Sequence, residues 1–419
     1  MKQSSMSYAD VTPTLVMRSR YWIRWILLCS LGFCVAGAKE GVDEILSKNK
    51  TLQFEYDLKR NELESDKLSK SWINPIMVGY TRTTSDQFAG QDITSDNFTV
   101  TIDQPIFRSG GIYYAMKFAD ASRLENKTAI TRQHKEMIAD ALSTLFQLKQ
   151  NHLQQQKLKL LIANDKIDVK QKREYYQAGI LGSSFLDQAL LKKSQDEASL
   201  LALKQQMLEH KQHFALLSDK SPASIKLPTL KLMKKEAYKK HNLALKQEKY
   251  HVKKMAHQAK MTQAKYLPSV SIQAQYIDGD VNPLWAESGM KERYHTYGLR
   301  ISLPIDINAL KDIESSKLAR LRAQSALLDT KQRVDDEYNW VEETLHIVNR
   351  RIALAKEDEK IYRSLYRTTR DLAKAGEKSK EDVAMMHNAA KIRRLDQQIY
   401  QIDKQLLLLK LYMRMDNAF

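Results

Sequence analysis

Residues 173–185 read Arg-Glu-Tyr-Tyr-Gln-Ala-Gly-Ile-Leu-Gly-Ser-Ser-Phe and decide how this 419-residue chain folds. Gly179 and Gly182 are the only glycines between positions 112 and 221, and that interval contains no proline. Because proline and glycine interrupt helices, the interval predicts a long helix, a sharp turn and a returning helix. We therefore expect a helical hairpin with its tip near Gly179.

The same pattern occurs a second time. No proline follows position 304, and Gly376 is the only glycine after position 298. Three landmarks of the first stretch recur in the second at offsets of 193, 199 and 197 residues: Pro75, Pro105 and Gly179 correspond to Pro268, Pro304 and Gly376. Such a repetition predicts a duplicated unit. We expect a first structural repeat at 39–232 and a second at 233–419.

Each repeat is expected to contain a short helix, a β-hairpin, a long helix and a shorter returning helix. Helices are predicted at about 42–70, 112–178, 183–217, 233–265, 306–375 and 378–415. The long helices would measure roughly 100 Å at about 1.5 Å per residue. A returning helix and a pre-hairpin helix would match this length when stacked end to end. Residues 218–232, with Pro222 and Pro228, are expected to form a connecting segment beside them.

The apolar residues of the second long helix form a narrow stripe. Val334, Val341 and Val348 are seven residues apart, and Tyr338 and Leu345 follow the first two by four. Such a seam packs helices side by side, but helices with charged flanks cannot build a solid globular core. The helices are expected to line a wall that has water on both sides.

Four segments alternate between apolar and polar residues, as β-strands do. They lie within predicted hairpins at 72–107 and 266–304, which polar loops at 84–95 and 278–292 would connect. A soluble sheet with one face on a core is the alternative. However, four strands leave two unpaired edges, and the helices are too polar to cover a broad sheet.

In a membrane such open edges are not viable, so several chains would have to share one barrel. Two copies would give eight strands and a barrel filled by side chains, whereas three would give twelve strands and a lumen. Polar residues alternate with the apolar ones, and Asp103 and Arg300 are among them. These polar faces suit a wet interior.

The N-terminus has the pattern of a secretory signal peptide. Arginines precede the apolar run 25–35, and the small residues Ala36-Gly37-Ala38 follow it. We expect a signal peptide at 1–38. Since Cys29 and Cys34 both lie within it, the mature protein would have no disulfide. An uncleaved anchor is the alternative, although the run is short for spanning a bilayer.

The formal net charge of +17 raises the question of an acidic partner. Basic and acidic residues are interspersed, and no arginine–aromatic cluster occurs, so we expect a solvated helix surface and no nucleic-acid partner. No Ser–His–Asp arrangement, glycine-rich phosphate loop or zinc-ligand spacing occurs in the context that catalysis needs. The sequence therefore predicts no enzyme activity, no cofactor and no metal site.

The order of elements, together with several short motifs, resembles the TolC family of outer-membrane efflux and secretion channel proteins. The motif Asp103-Gln104-Pro105-Ile106-Phe107-Arg108-Ser109-Gly110-Gly111 is similar to the family's entry from strand to helix, and Leu303-Pro304-Ile305 is its second copy. The sequence Tyr266-Leu267-Pro268-Ser269-Val270 looks like the family's entry into a hairpin. The turns around Gly179 and Gly376 resemble the family's helical tips, and the likeness covers essentially the whole mature sequence.

This resemblance implies a mostly α-helical protein with membrane β-strands. Three copies would form an α-barrel tunnel in the periplasm and share one 12-stranded β-barrel in the lipid of the outer membrane. It also implies a periplasmic adaptor protein and an inner-membrane pump as partners. The expected function is the exit duct of a tripartite small-molecule efflux system. A duct for type I protein secretion is an alternative, and a periplasmic coiled-coil scaffold without a pore is another.

The resemblance places the adaptor contact at the tips, where the expected docking residues are Gly179, Ile180, Leu181, Gly376, Glu377 and Lys378. The two glycines are suited to the turns because glycine adopts positive φ without strain. The alternative is that each glycine ends its helix and contacts no partner.

The resemblance also indicates a periplasmic aperture lined by Asp382, Glu381 and Phe185. Asp382 lies six residues past Gly376, where the family often has an aperture carboxylate; in a trimer it would form an acidic ring that attracts cations. The alternative is a helix N-terminal acid favoured by the helix dipole. Phe185 replaces the matching acid of the first repeat, so a phenylalanine ring could close the mouth instead.

Overall fold

In this computed structural model the described residues are 42–88, 91–280 and 291–416. The predicted signal peptide at 1–38 lies outside them, as does most of the predicted loop 278–292.

The chain forms seven α-helices and four β-strands within the described ranges. A short 3-10 helix, Val42–Ile45, comes first. The helices are α1 Lys48–Ser69, α2 Gly111–Gln177, α3 Ser183–Leu217, α4 Lys235–His241, α5 Leu243–Lys265, α6 Ala309–Lys374 and α7 Lys380–Tyr412. The strands are β1 Met77–Phe88, β2 Gln91–Phe107, β3 Ser269–Gly279 and β4 Arg293–Ser302. The two predicted long helices are confirmed, with 67 residues in α2 and 66 in α6.

The shorter helices stack end to end in two pairs. The backbone N–H of Ser47, at the start of α1, donates to the carbonyl of Leu217 at the end of α3 over 2.9 Å. At the second junction the N–H of Leu243 donates to the carbonyl of Arg414 over 2.8 Å, which joins α5 to α7. Both α1 and α3 pack on α2, whereas α5 and α7 lie between α2 and α6. The helices thus form a wall in the order α1/α3, α2, α5/α7, α6.

The prediction of one helix over 233–265 was wrong, because Asn242 divides it into α4 and α5. Asn242 has extended backbone angles, and its side-chain Oδ1 accepts from the N–H of Leu245 over 3.1 Å. Asparagine is among the strongest N-caps, so it starts a new helix here. The residue also pairs with Met415 in an isolated β-bridge, which fixes the junction of α5 with α7.

The prediction of a polar loop at 84–95 was also wrong, because β1 continues to Phe88 and β2 begins at Gln91. Thr84 pairs with Thr94, and their hydroxyl oxygens lie 3.1 Å apart. Threonine is β-branched and favours strands even where no apolar residue alternates with it. The first hairpin is therefore longer than apolar alternation alone indicates.

The four strands form one antiparallel sheet in the order β1-β2-β3-β4. Partners in register share a face of a sheet. One face is mainly apolar and includes the cross-strand rows Val78–Val100–Tyr276 and Ile102–Ala274–Tyr297. The other face holds Asp103, whose carboxylate accepts from the side-chain amide of Gln273 over 3.0 Å and lies 3.8 Å from Arg300. The predicted alternation of the strands is confirmed.

Apolar packing is concentrated where the helix junctions meet. The seam residues Val334, Tyr338, Val341, Leu345 and Val348 are all buried in α6. The side chains most completely buried near the junctions are Phe214, Tyr238, Leu243, Leu408 and Leu411. The connecting segment covers this region. The carbonyls of Lys231, within it, and of Met233, just after it, accept hydrogen bonds from the hydroxyls of Tyr412 and Tyr338. A local hydrophobic core therefore packs the helices together near the middle of the long helices.

Replacing Asn242 by Ala should lower the stability of the junction. The change removes a buried N-cap and should cost about 1 kcal/mol, whereas Asn242→Ser keeps a capping oxygen and should cost less. Thermal unfolding followed by circular dichroism at helical wavelengths would measure both variants. Equal melting temperatures for wild type and Asn242→Ala would contradict the capping role.

Candidate functional site at the helical hairpin tips

The two hairpin tips have the same backbone geometry. Gly179 ends α2 with φ +71°, and Gly376 ends α6 with φ +86°. The N–H of Gly179 donates to Tyr176 over 3.0 Å, and the N–H of Ile180 donates to Tyr175 over 2.9 Å. The second tip repeats this pair of bonds with donors Gly376 and Glu377 and acceptors Ala373 and Leu372. Both are Schellman motifs, which a glycine with positive φ makes possible.

The two tips differ in their side chains. Ile180 is 68% exposed at the first tip, Phe185 is 49% exposed just beyond it, and Leu181 is half-buried. At the second tip Glu377 and Lys378 are exposed. One tip therefore presents apolar surface and the other presents charged surface.

Asp382 forms a capping box with Ser379 at the start of α7. The N–H of Ser379 donates to the Asp382 carboxylate over 3.1 Å, and the N–H of Asp382 donates to the Ser379 hydroxyl over 3.0 Å. The bond from the Ser379 backbone N–H, followed by a contact of the Ser379 side chain with the carboxylate, holds the pKa of Asp382 below its usual range. Within a single chain the carboxylate is thus bound to the N-terminus of its own helix.

Glu381 contacts the other hairpin. Its carboxylate lies 3.2 Å from Nζ of Lys170 on α2. A bond from its own backbone N–H and this lysine both lower the pKa of Glu381. The pair joins α2 to α7 close to the tips.

Polar pairs continue along the contact between α2 and α7, which we call the polar seam. The amide groups of Asn164 and Asn388 lie 2.8 Å apart, and Lys157 lies 2.7 Å from the buried carboxylate of Asp396. Sequence reasoning missed the polar seam because its partners are more than 200 residues apart. No local spacing signals such a pairing.

Each end of the helical wall leaves apolar side chains exposed. On α6, Trp340, Ile347, Leu354 and Ile361 recur every seven residues and are 50–58% exposed. At about 100° per residue they lie roughly a third of a turn from the buried seam. On α3, four exposed leucines lie on the face opposite the buried Leu203 and Phe214: Leu191, Leu201, Leu208 and Leu216. Both wall ends therefore resemble half of a helix–helix contact.

The sheet also has two unpaired edges. Among the described residues, β1 pairs only with β2, and β4 pairs only with β3. The apolar side chains on these edge strands are among the most exposed, including Val78 and Tyr80 on β1 and Tyr297, Leu299 and Ile301 on β4. Unpaired edges of this kind invite pairing with another chain.

No group of three or more His, Cys, Asp or Glu side chains in the described ranges is placed to hold a metal ion. Across those same ranges, no helix combines the length and the apolar character that crossing a bilayer requires.

Solved structures of outer-membrane channels share this fold. The chain is similar to the outer membrane channel CmeC of Campylobacter jejuni, with a TM-score of 0.71 and 13% identity over 90% of this chain and 85% of that one. It is similar to the outer membrane protein VceC of Vibrio cholerae, with a TM-score of 0.69 and 15% identity over 87% of this chain and 92% of the other.

The MtrE outer membrane channel of Neisseria gonorrhoeae, solved in its open state, matches with a TM-score of 0.63 and 13% identity over 88% of this chain and 86% of its own. No model of a known protein family matches the sequence, and no curated protein matches it either. The predicted resemblance is thus confirmed at the level of the fold, over most of both chains.

Alanine at the tip glycines should weaken the tips. Gly179→Ala and Gly376→Ala place a Cβ on a left-handed residue, which costs about 1 to 2 kcal/mol. Gly182→Ala is the matched control, because Gly182 has φ −72° and a Cβ there meets nothing within 4 Å. Hydrogen exchange at the tip amides should rise in the first two variants only. Equal exchange in all three would exclude a requirement for positive φ.

The capping box should lose strength in acid. Because the pKa of Asp382 is lowered by folding, its contribution is complete above the unfolded pKa, near 4, and is lost as pH falls through the folded value. Asp382→Asn should increase hydrogen exchange at the start of α7 at pH 7 but not below the folded pKa. The exposed Asp187, on α3, supplies the control Asp187→Asn. A pH-independent difference would contradict the capping role of the carboxylate.

Proposed function

We propose that three copies of this chain form a channel through the outer membrane, with a helical tunnel in the periplasm. The observation that carries the proposal is that one chain leaves both edges of its sheet and both ends of its helical wall unpartnered. A second copy placed beside the first would pair one edge of the sheet and cover one end of the helical wall. Repeating this contact around an axis closes both into rings.

Three copies give a ring that suits conduction. Twelve strands enclose a lumen, whereas the eight strands of two copies would be filled by side chains. The apolar face of the sheet would meet lipid, and the face with Asp103, Gln273 and Arg300 would line water. The family resemblance supports the same stoichiometry, and the fold shared with outer-membrane channels supports the outer membrane as the location.

The helical wall would close between α6 of one copy and α1/α3 of the next. The α6 stripe of Trp340, Ile347, Leu354 and Ile361 would pack against the exposed leucines of α3. A helix in a ring has neighbours on two sides that are separated by less than half a turn. The two apolar stripes of α6 have this arrangement.

The chain would act as the exit duct of a tripartite export system for small molecules. This part rests on the resemblance to the TolC family, in which a periplasmic adaptor docks on the helical tips and receives substrates from an inner-membrane pump. The proposed adaptor contacts are the tip residues Gly179, Ile180, Leu181, Gly376, Glu377 and Lys378. We also infer that 39–232 and 233–419 are duplicated repeats, which the repeated order of elements supports, and that 1–38 is a signal peptide.

The duct would be gated at its tips. The polar seam joins the two hairpins by pairs such as Lys170–Glu381, and polar pairs exposed to water exchange partners at little cost. The hairpins could then separate beside the tips without breaking the pair of Lys157 with the buried Asp396, which lies farther along α7. Asp382 and Phe185 are the proposed aperture residues, and an Asp382 ring would favour cations.

Ion conductance tests this function. The detergent-extracted protein should run as a trimer and conduct ions in a planar bilayer. The double variant Ile347→Asn/Leu354→Asn should run as a monomer and lose conductance, because polar amides replace the apolar contact between copies. The control Lys356→Asn/Lys360→Asn changes exposed residues on other faces of α6 and should remain a conducting trimer.

A wild-type monomer without conductance would reject the channel and favour a coiled-coil scaffold without a pore. A stable, conducting Ile347→Asn/Leu354→Asn trimer would reject this contact between copies.

A further inference from the structure

The positive charge of the chain is concentrated in one segment. Residues 226–265 contain twelve lysines, no arginine and only two acidic residues, Glu236 and Glu248, so they contribute +10 of the net charge of +17. The segment includes the end of the connecting segment, α4 and α5. Basic and acidic residues are therefore not evenly interspersed in this segment, unlike in the rest of the chain.

Part of this charge is used within the fold. Lys235 and Lys239 both contact Asp335, Lys246 contacts Asp416, and Lys254 contacts Glu125. Other lysines are exposed and make no ion pair among the described residues: Lys226, Lys231, Lys234, Lys240, Lys249, Lys253 and Lys260. More charge is present than the fold itself neutralises.

Three of the exposed lysines share one face of α5. Lys249, Lys253 and Lys260 are spaced by four and seven residues, which places them on one side of a helix. Lys117 of α2 adds to the same face. Tyr114 of α2 stacks on His257 of α5 with ring centroids 6.4 Å apart, which brings the two helices together at this face. Burial lowers the pKa of His257, and the charges of Lys117 and Lys253 lower it further. We call Lys117, Lys249, Lys253 and Lys260 the basic face.

Acidic groups do not neutralise the basic face. Glu125 is occupied by His251 and Lys254 at the contact between α2 and α5. Asp120 follows Lys117 by three residues and is exposed, but it forms no ion pair among the described residues. The face therefore presents a strip of like charge along α5 whose lysines span roughly 17 Å, about half of the helix, at about 1.5 Å per residue.

We propose that the basic face binds peptidoglycan, the carboxylate-bearing polymer through which a tunnel crossing the periplasm must pass. The proposal rests on the function proposed above, which places α5 in the periplasm next to the membrane sheet. An extended strip of lysines matches a polymer with carboxylates distributed along it. Lysine is a compact, hydrated point charge, so it pairs with scattered carboxylates without a fixed geometry.

Two other anionic partners fit the structure less well. Lys249 and Lys253 lie roughly 24 and 18 Å from the end of α5 that joins the sheet, and attraction to a lipid surface decays within about 10 Å at physiological ionic strength, so lipid would reach only Lys117 and Lys260 of the basic face. Single-stranded nucleic acid is held by a series of stacked aromatic side chains as well as by charge, and of the two tyrosines that contact lysines of the basic face, Tyr113 and Tyr250, only Tyr113 is exposed. The extent of the strip and its composition favour the cell wall.

Co-sedimentation with isolated sacculi tests the proposal. The sacculi are first treated with protease to remove attached proteins, and the trimer is added in detergent at low salt. The variant Lys249→Gln/Lys253→Gln/Lys260→Gln should bind about a hundredfold more weakly, at roughly fivefold per charge lost. The control Lys166→Gln/Lys204→Gln/Lys211→Gln removes the same charge from exposed, unpaired lysines elsewhere and should bind like wild type.

Three results would overturn the proposal. They are undiminished binding by the α5 variant, equal loss in the control, or wild-type binding only to sacculi that still carry protein. Loss of binding to phosphatidylglycerol vesicles with unchanged sacculus binding would assign the face to lipid and also overturn it.

Planar-bilayer conductance is measured on the same samples. A trimer that conducts ions but does not co-sediment with sacculi rejects this proposal alone. A wild-type protein that does not conduct ions rejects the proposed channel.

Discussion

Unpaired backbone at the sheet edges is the constraint on which the rest of this structure depends. The chain has four strands, and β1 and β4 each offer one row of N–H and C=O groups with no partner in the described sheet. In lipid, each such group left unsatisfied costs several kcal/mol, and the sheet is too short to close on itself. In the proposed trimer, neighbouring copies supply the missing bonds.

The helical wall, like the sheet, leaves surface without a partner within one chain. The long helices α2 and α6 are flanked by half-length helices stacked end to end, and Ser47–Leu217 and Leu243–Arg414 hydrogen bonds hold the junctions. This arrangement makes a wall one helix thick, which cannot bury apolar residues on all sides. Its largest apolar cluster accordingly lies at the junctions, and exposed apolar stripes remain at the two ends of the wall. In the proposed trimer, one threefold axis would complete both the sheet and the wall.

Much of this was predictable because the signals are local. Gly179 and Gly376 marked the hairpin tips, and the spacing of Val334, Val341 and Val348 marked the buried seam of α6. Other features depend on contacts between distant residues. Asn242 looked like one polar residue in a helix, and only its bridge to Met415 makes it a junction. The polar seam could not be predicted for the same reason. The length of the first hairpin could not be predicted because its threonines form strands without an alternating apolar pattern.

Hydrogen exchange at the edge strands tests the shared barrel most directly. In the detergent-extracted particle, the outward-facing amides of β1 and β4 should be protected as well as those of the central strands β2 and β3, because a neighbouring copy accepts their hydrogen bonds. Exchange of these amides at rates near those of an unfolded chain, with β2 and β3 protected, would show open edges. That result would contradict the account.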